Sequence, residues 1–261
     1  MTSVVLVQGA SRGLGLQFCR NLLQRPSTSV VATCRAPEDA THLQQLEASN
    51  KDRLEILKLD VTQEDAIRDA AKLVKEKFKN LDLVINCAGM LHPSGKGETS
   101  LRDVSTQGLN TTFLTNAFGP LLVAKYFSPM LAAGSGSFGI QSENAKERHS
   151  GILVNMSARV GSITDNGFGG WYSYRMSKSA LNMATKNLSI ELGRPRNKII
   201  CVALHPGSVD TDLTRPYQRN IPKDKLFSTT YSVECLMKII SNLRIEDTGK
   251  YLAWNGKEIP F

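Results

Sequence analysis

Two rhythms alternate along this chain. Short, nearly continuous apolar runs rich in Val, Ile and Leu are separated by longer stretches in which apolar residues recur at helical spacing. Val4–Val7, Ser29–Thr33, Leu54–Leu59, Leu83–Ile85, Ile152–Met156 and Lys198–Leu204 read as strands. Their runs are continuous because a parallel sheet covered on both faces buries both sets of side chains. Leu16–Gln24, Glu38–Ser49, Gln63–Phe78, Thr106–Ala133, a stretch opening at Trp171 and running to about Leu192, and Thr230–Leu243 read as helices. A short strand near Lys250–Ala253 closes the chain. Strand followed by helix, repeated, predicts an α/β fold: a single-domain, Rossmann-like doubly wound parallel sheet of about seven strands with helices on both faces. Thr106–Ala133 is expected to kink or start anew near Gly119-Pro120, because proline cannot continue the ladder before it. Gly134–Ser150 is polar and glycine-bearing and reads as a surface insertion (residues 134–150) within one domain covering 1–261, since the rhythm resumes in register at Gly151. Ser208–Leu226 is polar and reads as a lid.

Composition narrows the partners. With 261 residues, 41% of them hydrophobic, the chain can bury one large core. The formal charge is +8, yet basic residues are interleaved with acids, as in Lys72-Leu73-Val74-Lys75-Glu76-Lys77. That is the wet face of a helix, not a nucleic-acid stripe, and the excess charge suits a small polyanion instead. Cys19, Cys34, Cys87, Cys201 and Cys235 are scattered without C-x-x-C spacing or a histidine cluster, so neither a disulfide framework nor a metal site is expected. No apolar run approaches the ~18 residues that span a bilayer, and the N-terminus lacks a signal-peptide layout. A cytoplasmic protein with no membrane partner is expected.

The polar residues at the strand ends carry the chemistry. After the first strand, Gly9-Ala10-Ser11-Arg12-Gly13-Leu14-Gly15 combines a tight turn with a helix start, where free N–H groups and the helix dipole favour an anion. This is a dinucleotide-binding turn, though its G-x-x-x-G-x-G spacing differs from G-x-G-x-x-G. The second strand ends at Cys34-Arg35 without the acidic residue that would hold the adenosine ribose of NAD. Arg35, with Arg12 beside the turn, suits a 2′-phosphate, so NADP(H) is expected. Further on, Tyr174 and Lys178 stand four apart and share one helix face, where a cation favours the phenolate and moves the phenol toward values useful for acid/base work. Tyr172 has Met176 at the same offset and lacks the cation. His205 precedes a proline at a strand end and reads as structural.

Gly9-Ala10-Ser11-Arg12-Gly13-Leu14-Gly15, Asp60-Val61, Asn86-Cys87-Ala88-Gly89, Asn116, Ser157, Tyr174-x-x-x-Lys178 and Pro206-Gly207-Ser208-Val209-Asp210-Thr211, taken in this order, resemble the short-chain dehydrogenase/reductase family over nearly the whole chain. The resemblance extends most to the C-factor and sniffer-like carbonyl reductases. Gln8 stands where that family usually has Thr, and Cys87 where a second Asn is more common; both departures bear on cofactor affinity. The resemblance implies an NADPH-dependent oxidoreductase that reduces a carbonyl (aldehyde, ketone or quinone) to an alcohol. It makes Tyr174 the general acid, Lys178 its tuner and the holder of the nicotinamide ribose, Ser157 the partner of the substrate oxygen, and Asn116 the residue that orients a relay water. Gly9, Gly13 and Gly15 would meet the diphosphate, with Ser11 and Leu14 also among the cofactor-binding residues, Arg12 and Arg35 the 2′-phosphate, and Asp60 and Val61 the adenine. Asn86, Ala88, Gly89, Pro206 and Gly207 would line the cofactor, and Val209 and Thr211 its nicotinamide end. Met90, Leu91, Phe168, Trp171, Leu213 and Tyr217 would line the substrate side. A homodimer or homotetramer is implied, through the apolar helices around Asn116 and Tyr174, unless the 134–150 insertion covers them. The competing reading is an NADP(H)-binding signalling or docking protein with little turnover.

Overall fold

The computed structural model describes residues 2–194 and 197–261. The strands β1 (Ser3–Gln8), β2 (Thr28–Cys34), β3 (Leu54–Lys58), β4 (Leu83–Asn86), β5 (Gly151–Met156) and β6 (Ile199–His205) pair in parallel. Next in the chain, β7 (Ser208–Val209) and β8 (Leu226–Phe227) form a separate two-stranded ribbon, and β9 (Tyr251–Ala253) adds to β6. The main sheet therefore has seven strands in the order β3-β2-β1-β4-β5-β6-β9. The chain winds outward from β1 to β3 and then returns past β1 to β4. The crossovers thus leave from opposite faces at that point, and a crevice opens at the carboxyl ends of β1 and β4.

Among the described residues seven α-helices, α1 (Gly13–Leu23), α2 (Thr41–Ala48), α3 (Glu64–Phe78), α4 (Thr106–Phe113), α5 (Gly119–Ala132), α6 (Tyr172–Leu192) and α7 (Thr229–Asn242), accompany the sheet. The period-two alternation of each strand divides the core. Val5, Val7, Val30, Ile85 and Val154 face α1, α2 and α7, whereas Leu6, Val31, Val84 and Leu153 face α3, α5 and α6. Both sets are needed because the central strands are wet on neither face. On α3, Ile67, Ala70, Ala71 and Val74 make the buried stripe, while Asp69, Lys72, Lys75 and Glu76 stay in water.

Three segments differ from the sequence expectation in detail. Helix α2 starts at Thr41 because Pro37–Asp39 form their own 3-10 turn. The long stretch from Thr106 breaks where expected, but through a π-helical turn, Leu114–Phe118, ahead of α5, with Pro120 in the first turn of α5 where a missing N–H costs nothing. The 134–150 segment is less superficial than its polarity suggests. Phe138 is 2% exposed within the α1/α7 core, the Arg25 guanidinium lies 5.0 Å from its ring centroid, and the Ile140 amide donates to the Leu243 carbonyl at 2.8 Å. A single aromatic anchor leaves no periodic signal.

Candidate active site

The crevice is floored by the turn between β1 and α1. Gly9 has φ +82°, and a Cβ there would stand 2.5 Å from the Ala88 nitrogen; a Cβ on Gly15 would overlap the Gly9 carbonyl oxygen. Side chains are excluded so that the strand ends and the helix N-terminus can approach one another, and the first turn of α1 carries no acidic residue to consume its dipole. The cradle fits the diphosphate of a dinucleotide. Gln8, the departure noted above, accepts from the Ala88 amide through Oε1 at 3.1 Å and so ties the end of β1 to the Cys87-Ala88-Gly89 segment.

Helix α6 supplies the opposite wall. Its entry is built around Glu98, 2% exposed, whose carbonyl oxygen accepts from the Trp171 amide at 2.6 Å and whose Oε1 accepts from the Ser173 amide at 3.1 Å. Trp171 is held at φ +49°, an uncommon conformation for a bulky residue, with its indole packed against Gly97 and 4.7 Å from the Tyr217 ring. Tyr174 and Lys178 follow on the buried face at 6% and 4% exposure. Lys178 Nζ donates to the Met156 carbonyl at 2.8 Å and stands 5.8 Å from the centroid of the Tyr174 ring. Burial pushes the Tyr174 phenol up, with Tyr217 and Tyr251 adding to the effect, and burial draws the Lys178 ammonium down to about 8. Burial, the largest influence on the phenol, thus works against the lowering expected from Lys178.

Strand β5 delivers Ser157, 3% exposed, whose Oγ donates to Asn182 Oδ1 at 2.6 Å. Ser157, Tyr174 and Lys178 converge on one cleft of about 410 Å³ that also takes in Leu14, Cys87, Gly89, Pro206, Gly207, Val209 and Thr211. Phe168, Trp171, Leu213 and Tyr217 line it as expected; Met90 and Leu91 do not. Asn116 explains Met90: its Oδ1 accepts from the Met90 amide at 2.9 Å and its Nδ2 donates to the Met90 carbonyl at 2.8 Å and to Ser177 Oγ at 3.0 Å. Leu91 is buried at 5% exposure. The Asn116 amide thus holds the loop after β4 and is not part of the cleft wall.

Other expected cofactor residues divide similarly. Asn86 turns its amide inward, donating to Asn155 Oδ1 at 2.8 Å, while Asn155 donates to Thr185 Oγ1 at 2.9 Å. It therefore ties β4 through β5 to α6 and contributes no side chain to the cleft. Asp60 closes the turn before α3, its Oδ1 accepting from the Thr62 amide and hydroxyl at 2.9 and 2.8 Å. Val61, 6% exposed, packs against Gly119. Arg35 is exposed at the end of β2 and makes no ion pair among the described residues, whereas Arg12 pairs with Asp212 at 3.0 Å. Sequence reasoning missed Glu98, Asn182 and Tyr251. Asn182 could have been found, being four residues beyond Lys178 on the same face of α6; the other two lie far from it in sequence and carry no motif.

The family profile described as short chain dehydrogenase matches residues 3–222. The chain belongs to the short-chain dehydrogenase/reductase family. Within the family it is similar to the NADPH-bound carbonyl reductase from chicken fatty liver, at 34% identity and a TM-score of 0.85, covering 100% of this chain and 99% of that one. It is equally similar in shape to the carbonyl reductase Sniffer of D. melanogaster, at 30% identity and TM-score 0.85 with 100% of both chains covered. The C-signal protein of Myxococcus xanthus is 35% identical over 181 residues, which are 69% of this chain and 93% of that protein. The resemblance to the sniffer-like branch is thereby borne out. This short-chain dehydrogenase/reductase carries the ordered residues of its sequence on the seven-stranded sheet that brings most of them to one crevice.

Proposed function

We propose that the protein reduces a carbonyl group on a small, partly apolar aldehyde, ketone or quinone to an alcohol, with NADPH as cofactor. The observation that carries this reading is the convergence of Ser157, Tyr174 and Lys178 on one cleft beside the glycine cradle. NADPH, when bound, supplies the hydride. Gly9, Ser11, Gly13, Leu14 and Gly15 would receive its diphosphate, Arg12 and Arg35 its 2′-phosphate, Asp60 and Val61 its adenine, and Val209 and Thr211 its nicotinamide end. The carbonyl reductase from chicken fatty liver is itself NADPH-bound, which supports the choice of cofactor.

Tyr174 gives its proton to the carbonyl oxygen. A phenol pushed up by burial stays protonated throughout the neutral range, which suits an acid working in the reductive direction. Ser157 hydrogen-bonds the same oxygen and steadies its developing negative charge. Lys178 holds the ribose with a cation already anchored on the Met156 carbonyl. Asn116, with its amide engaged by Met90 and Ser177, acts by fixing the loop beside the cofactor, and its side chain is not assigned to a relay. Phe168, Trp171, Leu213 and Tyr217 favour an apolar body on the substrate. The likeness to the C-signal protein of Myxococcus xanthus is the one observation on the side of a signalling role; a signalling or docking protein would need none of Ser157, Tyr174 and Lys178 in the cleft, and their convergence favours the enzyme.

An NADPH-oxidation screen over aldehydes, ketones and quinones tests the activity. On a substrate so found, Tyr174→Phe should lower turnover by a factor on the order of 10² or more while NADPH affinity is nearly kept. Full turnover in that variant would remove Tyr174 from the acid's role.

A further inference from the structure

Ser157 has only one hydrogen to donate, and the fold has already given it a recipient. Asn182, 2% exposed, lies four residues beyond Lys178 on the buried face of α6. Its Nδ2 donates to the Gly161 carbonyl at 3.2 Å. A carbonyl can only accept, so this contact fixes which way round the amide sits and leaves Oδ1 toward Ser157, 2.6 Å from its Oγ. Tyr251, from the distant edge strand β9, completes the group. It is fully buried, and its hydroxyl donates to the carbonyl of Ala158, the residue after Ser157. That contact pins the backbone that carries Ser157.

We propose that Asn182 and Tyr251 are positioning residues that aim the Ser157 hydroxyl into the cleft. Asn182 removes the rotamer freedom that a serine at a strand end otherwise has. When Ser157 turns its hydrogen to a substrate oxygen, Asn182 Oδ1 loses its donor in a buried place, a loss that would oppose the turn. Tyr251 acts one residue away, holding the Ala158 carbonyl and with it the backbone that sets the direction of Ser157. Sequence spacing places Asn182 near the site, and only the sheet edge brings Tyr251 to it.

This inference rests on the reading of Ser157 as the partner of the substrate oxygen, and the experiment separates the two. NADPH-dependent reduction of para-nitrobenzaldehyde and naphthoquinone is measured across pH for the unmodified protein, Ser157→Ala, Asn182→Asp, Asn182→Leu and Tyr251→Phe. Thermal melting and NADPH affinity are followed alongside. Asn182→Leu should lose roughly ten- to fiftyfold in kcat, a part of the 10²–10³ that loss of one oxyanion donor typically costs, with KM and NADPH affinity little changed. Tyr251→Phe, which keeps the ring, should lose roughly threefold to tenfold. Asn182→Asp carries the sharper signature. As the neutral acid it can still donate to the Gly161 carbonyl and accept from Ser157. Once ionised it leaves that carbonyl without a donor and grips the Ser157 proton. Its kcat should therefore fall as pH rises through the introduced carboxyl's pKa, which burial lifts above the usual value of about 4. A merely structural role would lower melting and kcat together at every pH. Should Asn182→Leu fail to fold, Asn182→Asp and Tyr251→Phe decide. A pH profile for Asn182→Asp parallel to that of the unmodified protein, or full turnover in Tyr251→Phe, would overturn the inference while Ser157→Ala remained impaired. Full turnover in Ser157→Ala, or no turnover of either carbonyl by the unmodified protein, would overturn the underlying reading.

Discussion

Single side chains decide cofactor choice and the pH response. Arg35 stands exposed at the end of β2 with no ion partner among the described residues, while Arg12 is engaged by Asp212. Arg35 is thus the readier of the two to pair with a 2′-phosphate, and a guanidinium does so with two hydrogen bonds. Arg35→Asp should narrow or reverse a preference for NADPH over NADH; titration of both cofactors by fluorescence checks this, and equal affinities in the unmodified protein would count against the assignment. The two buried titrating groups give a further expectation. Tyr174 stays protonated, whereas Lys178 is held near about 8. Loss of the Lys178 charge weakens the hold on a ribose, so kcat/KM for reduction should be level below about pH 8 and decline above it. Since the folded chain releases this proton before the unfolded one does, Lys178 also makes the cofactor-free protein more stable as pH rises from about 8 toward its ordinary 10.5. A profile that stays flat well above that window would show that the lysine does not act through its charge.

At the scale of the element, the start of α6 matters most. A helix that opens on a residue with φ +49° holds a conformation costing about 1–2 kcal/mol, and Glu98 offsets it with two backbone contacts. Its carboxylate also lies at the positive end of the helix dipole. Glu98→Ala would strand the Ser173 amide and remove the cap, lowering stability by about 1–3 kcal/mol. Turnover should fall as well, because Tyr174 sits in the first turn and Trp171 forms the cleft wall. Glu98→Gln keeps an acceptor for Ser173 and should recover most of both losses, as read by denaturant melts and by kcat. If the alanine variant melted like the unmodified protein, Glu98 would not be holding the helix.

Across the whole molecule, one apolar face is left uncovered. Leu114, Phe118 and Leu121 on the α4–α5 side and Met176 and Met183 on α6 are between 39% and 62% exposed. Leu181 and Leu188 of the same helix are buried within their own chain. The 134–150 segment does not cover this face, since it is anchored by Phe138 in the opposite layer with α1 and α7. Cover by a second copy is the outcome expected from the apolar helices around Asn116 and Tyr174, and the oligomeric state tests it. Phe118→Glu together with Met183→Glu should convert the assembly to single chains in sedimentation velocity, with the monomer fraction of the unmodified protein rising only on dilution. A concentration-independent single chain in the unmodified protein would remove the dimer.

What could be read from the chain alone is whatever is local or periodic. The strands reveal themselves by continuous Val, Ile and Leu, the helices by their spacing, and the cofactor turn by glycines where no side chain fits. Tyr174 and Lys178 are legible because a helix converts an offset of four into contact, and Asn182 could have been found by the same rule. Other properties follow from contacts between residues distant in sequence, whose energies no window of sequence contains. Asn86 and Asn116 look like cleft residues by position, yet the fold turns one amide toward Asn155 and engages the other with Met90 and Ser177. Phe138 shows no periodicity and becomes core because α1 and α7 need a cover. The sign of the Tyr174 shift was also decided in three dimensions, since proximity to Lys178 favours the phenolate while burial of both groups, a property only of the packed molecule, opposes it. Tyr251 reaches the same cluster from the last strand, because β9 pairs beside β6 and so brings the chain's end to the end of β5.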